Sequence, residues 1–170
     1  PAFVMVAGDL VMGHWGTGKK EIDEWAEKYY PPWVSRFKDH GLKVYAALGD
    51  HEVGDNPWRG RKAAAIPFYK DAFRRYLKMP LNGPAHMQGT AFHWRHKNAL
   101  FVSVDVFEKA PGRQGEISAQ VTGRQLAWLK KVLETNRPLV DHIIVMGHTP
   151  VLRPVRKFSS SGMLLEKGRN

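Results

Sequence analysis

Residues 43–52 read KVYAALGDHE, a short and mostly apolar run that ends on a glycine and then on Asp50, His51 and Glu52. Such a run suits a strand covered on both faces, with a loop beginning where the first carboxylate appears. The same pattern occurs twice more: residues 2–7 (AFVMVA) end on Gly8-Asp9, and residues 142–146 (HIIVM) end on Gly147-His148. In α/β sheets, ligands gather beyond the carboxyl ends of the strands, so the three endings are expected to meet at one site. A glycine before each polar group lets the chain turn sharply and approach a bound ion closely. Carboxylate oxygen with imidazole nitrogen suits Mn, Fe or Zn. Any one of these endings is more commonly a plain turn with its own Asp cap. Three of them in order, each after a strand of similar character, form a joint signal.

Between the strands the pattern becomes helical. Thr17 is placed to cap a helix starting at Lys19 with Ile22, Trp25 and Tyr29 on one face. Pro31-Pro32 is expected to interrupt it, leaving a second short helix with Trp33, Val34 and Phe37 that stops near Gly41. A polar loop then runs to about residue 65, followed by Tyr69, Ala72, Phe73 and Tyr76 at helical spacing, closed by the turn between Pro80 and Pro84. Two strands are expected at 91–95 and 99–104 around a tight turn at Lys97-Asn98, and a Gly-rich loop at 108–118. Thr122 and Gln125 have the spacing of a capping box for a helix with Leu126, Leu129, Val132 and Leu133 as its buried stripe, ended by Pro138. The sum is one α/β domain over residues 1–170, a layered sandwich of mixed sheets flanked by helices.

Composition narrows the chemistry. The chain has 170 residues and is 43% hydrophobic, enough for one sizeable core. It has no cysteine, which excludes disulfides and thiolate metal ligands. No run of about 18 apolar residues is present, so no membrane span is expected. The chain opens on Pro1 inside an expected strand with no secretory leader, so its natural start is expected upstream. The net charge of +10 suits a basic surface, or attraction for anionic substrates and nucleic acid. The basic run at 59–62 (RGRK) is short and carries no nucleic-acid-reading signature, so nucleic acid is a possible partner without a motif behind it. Compartment and oligomeric state are not encoded in any of these features.

The segments GDLVMG (8–13), GDHE (49–52) and MGHTP (146–150) resemble the three central motifs of the calcineurin-like metallophosphoesterases, the superfamily that includes the purple acid phosphatase-like enzymes. FHWRHKNALFVSVD (92–105) is similar to the hairpin after the third family motif, and TGRQLAWLKKVL (122–133) to the helix before the fourth, so the resemblance covers nearly the whole chain. It implies hydrolysis of phosphate mono- or diesters at two metal ions, with attack by a hydroxide generated at the metals. Carried over by position, Asp9 bridges the ions, Asp50 and His148 bind the second, and His51 serves the leaving oxygen as the catalytic acid. The ions, Mn, Fe or Zn, would lie roughly 3.5–4 Å apart. His14, Trp15 and Glu52 are candidate substrate contacts, although Glu52 suits better an acceptor that orders the loop, placed also to orient His51. Trp58 is a further candidate wall of the pocket. The pattern departs from the family at Asp50, where asparagine is usual, and in the flanking D-x-H and G-H-x-H motifs, neither of which occurs in the sequence. They are expected beyond the two ends, and the chain alone is expected to be nearly inactive. A reading from another class is a non-catalytic anion- or nucleic-acid-binding module on a degenerate phosphoesterase scaffold.

Overall fold

The computed structural model describes residues 1–55, 58–109 and 117–149. The elements in chain order are β1 (Phe3–Val6), α1 (Lys19–Lys38), β2 (Lys43–Ala46), α2 (Arg61–Leu77), β3 (Phe92–His96), β4 (Ala99–Ser103), β5 (Phe107–Lys109), β6 (Ile117–Ala119), α3 (Gly123–Asn136) and β7 (His142–Met146). Short 3-10 turns occupy His51–Val53 and Arg137–Leu139. Strands β1 and β2 pair in parallel, with Phe3 opposite Lys43 and Val6 opposite Ala46. The second sheet has the order β3-β4-β7, antiparallel and then parallel, and β5-β6 form a separate antiparallel pair.

The layers follow from the alternation of side chains along each strand. Phe3 and Tyr45 face the second sheet, where Tyr45 stacks on Trp94 at 3.7 Å and Phe3 meets Phe101 edge-on at 5.1 Å. Val44 and Ala46, on the other face, join one core with Ile22, Ala26 and Tyr30 of α1 and Tyr69, Ala72 and Phe73 of α2. Beyond the second sheet, α3 adds Val132 to the core, and its Trp128 lies 6.2 Å from the His93 ring of β3. Helices therefore cover both sides of two packed sheets, a layered α/β sandwich.

Several local expectations are corrected. Helix α1 is not broken at Pro31-Pro32 but runs through both. Their missing donors leave the carbonyls of Glu27 and Lys28 without their helical partners, and all four residues lie on the exposed side of the helix. The interior-proline cost of about 3 kcal/mol is offset by packing of Trp33, Val34 and Phe37 against the core. The buried stripe of α1 is Ile22, Ala26 and Tyr30, while Trp25 and Tyr29 are exposed and stack on each other beneath Lys28. Thr17 caps nothing, since Gly18 is the N-cap residue. Helix α2 begins at Arg61, earlier than its apolar spacing implied.

There is no capping box on α3. Thr122 stands at the N-cap without a side-chain bond, and the fully buried Gln125 clamps the backbone of Asp105, accepting from its N–H at 2.8 Å and donating to its carbonyl at 2.7 Å. Leu126, assigned to the buried stripe, is 37% exposed. The expected loop at 108–118 contributes its two ends to β5 and β6, and its residues 110–116 lie outside the described residues. Strand β7, expected as an apolar strand, is an edge among the described residues, with Ile143, Ile144 and Val145 exposed.

Candidate metal centre

The loops after β1, β2 and β7 bring Asp9, Asp50 and His148 together, with one donor atom from each lying within 4.8 Å of the others. His148 Nε2 is 3.0 Å from Asp50 Oδ1 and 3.6 Å from Asp9 Oδ1. Its Nδ1 lies 2.7 Å from the Ala7 carbonyl, which can only accept, so Nδ1 carries a hydrogen and Nε2 faces the carboxylates. A histidine anchored in this way through its other nitrogen is the usual arrangement of a metal ligand.

Two glycines make this closeness possible. A Cβ on Gly49 would stand 2.5 Å from both the Asp9 nitrogen and Asp9 Oδ1, and one on Gly8 would stand 2.6 Å from Gly49 Cα. The two strand ends pack glycine on glycine, and any side chain there would push the carboxylates apart. Asp9 itself is in the left-handed region at φ 58, a conformation that aspartate adopts more readily than most residues.

Glu52 holds the same loops together from beneath and is fully buried. Its carboxylate accepts from the N–H of Asp9 at 2.7 Å, Leu10 at 2.7 Å and Gly49 at 2.8 Å. Burial raises its pKa against the opposing effect of those backbone donors. As a substrate contact it is corrected: its oxygens are turned to the backbone, and it cannot reach a ligand without unmaking both loops.

The electrostatics are those of a cation position. Burial opposes ionisation of Asp50, yet hydrogen bonds with His148 and Asp9 and the nearby imidazoles hold it at about 2. Burial also opposes a charged His148, but the Asp50 hydrogen bond, the Ala7 carbonyl and both carboxylates push it up to about 9. Asp9 is raised, by burial first and then by Asp50 beside it, with His148 acting in the opposite direction. Two carboxylates this close need positive charge between them. The His148 proton supplies it here, and a divalent ion taking the place of that proton fits the donor set, the spacing and the anchored imidazole.

His51 begins the turn after Asp50. Its Nδ1 lies 2.8 Å from the Met12 carbonyl, which leaves Nε2 directed away from that anchor. Burial lowers its pKa, but the Met12 carbonyl and the charges of Asp9, Asp50 and Asp55 outweigh it, so the net shift is upward.

His14 is exposed, 6.0 Å from the His51 ring, and its Nε2 is 3.5 Å from Asp55 Oδ2. Trp15 is buried at 4% exposure between Tyr29 and Tyr69. Both line a cavity of about 480 Å³ that includes Trp25, Tyr29 and Trp33 of α1. Trp58 is buried too, donating to the Val53 carbonyl at 2.9 Å and packing on Phe107, so it is core and not a pocket wall.

Two residues near the site escaped the sequence reading. Asp55 joins His14 and His51 in a second group whose donor atoms lie within 4.8 Å of one another. A second Gly-Asp pair, Gly54-Asp55, soon after Gly49-Asp50 was its signal. Tyr69, read only as a helix-face residue, uses its hydroxyl to pin the loop that carries His14: it accepts from the Trp15 N–H at 3.0 Å and lies 2.9 Å from the Gly13 carbonyl.

No helix among the described residues is long and apolar enough to cross a membrane. A search of the curated proteins found no match. The family model for calcineurin-like phosphoesterases matches residues 1–167. The chain, with its strand-end carboxylates and histidine, belongs to the calcineurin-like phosphoesterase family of metal-dependent phosphoester hydrolases.

Proposed function

We propose that the chain forms the second-metal half of a dinuclear site that hydrolyses phosphate mono- or diesters, with Asp9, Asp50 and His148 as ligands, Asp9 as the bridge, and His51 as the acid. The observation that carries this is the convergence of those three donors at the ends of β1, β2 and β7, with His148 already anchored on Ala7. Bound divalent ions, Mn, Fe or Zn, would supply a Lewis acid for the phosphoryl oxygens and acidify a water. The chain's own groups do the rest. Asp50, a carboxylate where the family pattern has asparagine, adds negative charge and favours harder or more highly charged ions. His51, its Nδ1–H held by Met12 and its pKa raised, carries on Nε2 the proton that the departing alkoxide needs. The aromatic cavity beside His14 and Trp15 takes the organic part of the ester, with Lys28 and Arg36 on its wall to meet negative charge.

The retained donor types weigh against a degenerate anion- or nucleic-acid-binding module, which would have no need of them. D-x-H and G-H-x-H are absent from the 170 residues, so the first ion has only Asp9 of its family ligands and turnover by this chain alone is expected to be weak. The test compares hydrolysis of p-nitrophenyl phosphate and its bis ester, with Mn, Fe and Zn, by this chain and by a version extended to carry both motifs. The extended protein should turn over and its Asp9→Asn variant should not. No turnover in the extended protein removes the enzyme reading, and robust turnover by the chain alone removes the need for the first ion's other ligands.

A further inference from the structure

We propose that His14, His51 and Asp55 form a second cation site, taking Zn²⁺ or a similar late first-row divalent ion. The three residues offer donor atoms within 4.8 Å of one another, apart from the strand-end cluster. The set is two imidazoles and one carboxylate, a combination that suits zinc and leaves room for water or a ligand.

The His14–Asp55 spacing fits two ligands of one ion. Two donors each about 2.1 Å from a tetrahedral zinc stand about 3.4 Å apart, and His14 Nε2 lies 3.5 Å from Asp55 Oδ2. Each ligand is also held by its own backbone. His51 is anchored through Nδ1 on Met12, so Nε2 keeps its lone pair when the ring is neutral. His14 sits at the tip of a turn closed by the Trp15 N–H on the Gly13 carbonyl at 2.9 Å, and the buried Tyr69 hydroxyl fixes that turn from below. Asp55 is drawn back over the short turn by its N–H on the Asp50 carbonyl at 2.9 Å, which brings it to the same side as His51. These supports cost nothing on binding, because they are formed before the ion arrives.

The experiment titrates the 170-residue chain with Co²⁺, read by its visible d–d absorption, and with Zn²⁺, read by calorimetry and by the histidine side-chain ¹⁵N resonances. The wild type should bind two equivalents. His14→Gln and Asp55→Asn should each bind one, and so should the Asp50→Asn/His148→Gln double variant, which keeps the second site and loses the first. Zn²⁺ should move the His14 resonances in wild type and in that double variant. Circular dichroism melts confirm that the variants are folded, and His14 is exposed enough for its variant to remain so. If the His14→Gln and Asp55→Asn variants bind as many ions as wild type with the same affinities, or if the His14 resonances stay still at saturating zinc, the second site does not exist. Loss of binding only in the Asp50→Asn/His148→Gln variant would overturn this site while leaving the first intact.

Discussion

The two donor groups flanking His51 are built in different ways. Asp9 and Asp50 stand at the ends of paired strands and are set by that pairing and by glycine packed on glycine, and His148, at the end of a strand of the other sheet, is set by its Nδ1 on the Ala7 carbonyl. His14, His51 and Asp55 stand on loops, positioned by backbone hydrogen bonds and by the hydroxyl of Tyr69 reaching up from α2. The first group is as rigid as the sheets, so its geometry survives as long as the fold does. The second depends on a few hydrogen bonds, and so can be lost without unfolding the protein. The Glu52 carboxylate lies between them and ties the loop after β1 to the loop after β2.

That contrast can be broken at chosen points. The largest effect is expected from Glu52→Ala, which leaves at least three backbone donors without their charged acceptor in a fully buried position. It should destabilise the protein by about 3–5 kcal/mol and abolish ion binding at the strand-end group, measured by denaturant unfolding and calorimetry. Wild-type affinity in Glu52→Ala would show that the sheets alone position Asp9 and Asp50. Next comes Gly49→Ala, whose Cβ would meet Asp9 N, Asp9 Oδ1 and Glu52 Oε2, each at 2.5 Å. A destabilisation of about 1–3 kcal/mol is expected from overpacking, with ion binding weakened at the strand-end group and unchanged at the loop group.

Tyr69→Phe reverses the selectivity. It removes the hydroxyl that meets the Trp15 N–H and the Gly13 and Gly16 carbonyls, at a cost of about 0.5–1.5 kcal/mol because the Trp15 N–H keeps the Gly13 carbonyl, loosens the turn bearing His14, and should weaken only the loop group. Equal losses at both groups would mean that the loops and strands move as one body.

The contrast is also tested by a pH dependence. The folded pKa of His148, about 9, lies above its ordinary value of 6.5, so its contribution to stability is complete below 6.5 and is lost as pH rises through 9. The folded pKa of Asp50, about 2, lies below its ordinary 3.8, so its contribution is present above 3.8 and disappears as pH falls through 2. In a chelator, the melting temperature of the chain should therefore decline between pH 6.5 and 9, and His148→Gln should flatten that decline. An unchanged slope in the variant would show that the proton shared with Asp50 contributes nothing to folding.

How much was legible varied with the kind of interaction. Strand positions were readable because an apolar run ending on glycine leaves a local mark, as at residues 43–48 and at Gly49. The proximity of Asp9, Asp50 and His148 followed from that mark through a general property of α/β sheets. Helix faces were less readable. Trp25 and Tyr29 lie at a helical spacing that looks buried, yet the face that meets α2 is Ile22, Ala26 and Tyr30. Gln125 has the spacing of a cap, but the Asp105 backbone offered it a donor and an acceptor at once. Pro31-Pro32 reads as a break because local propensity says so, and tertiary packing prevailed.

The sequence by itself determined the family, the order of the strands along the chain and the three strand-end groups, because each depends on residues adjacent in the chain and on one rule about where sheets place their ligands. Only the tertiary structure decided which backbone groups Glu52 binds, that Trp15 and Trp58 are buried, and that His14 and Asp55 meet at His51. The physical reason is range: a glycine turn is written in neighbouring residues, whereas a carboxylate binding the backbone more than 40 positions away, or two loops meeting over one imidazole, exists only once the chain has folded.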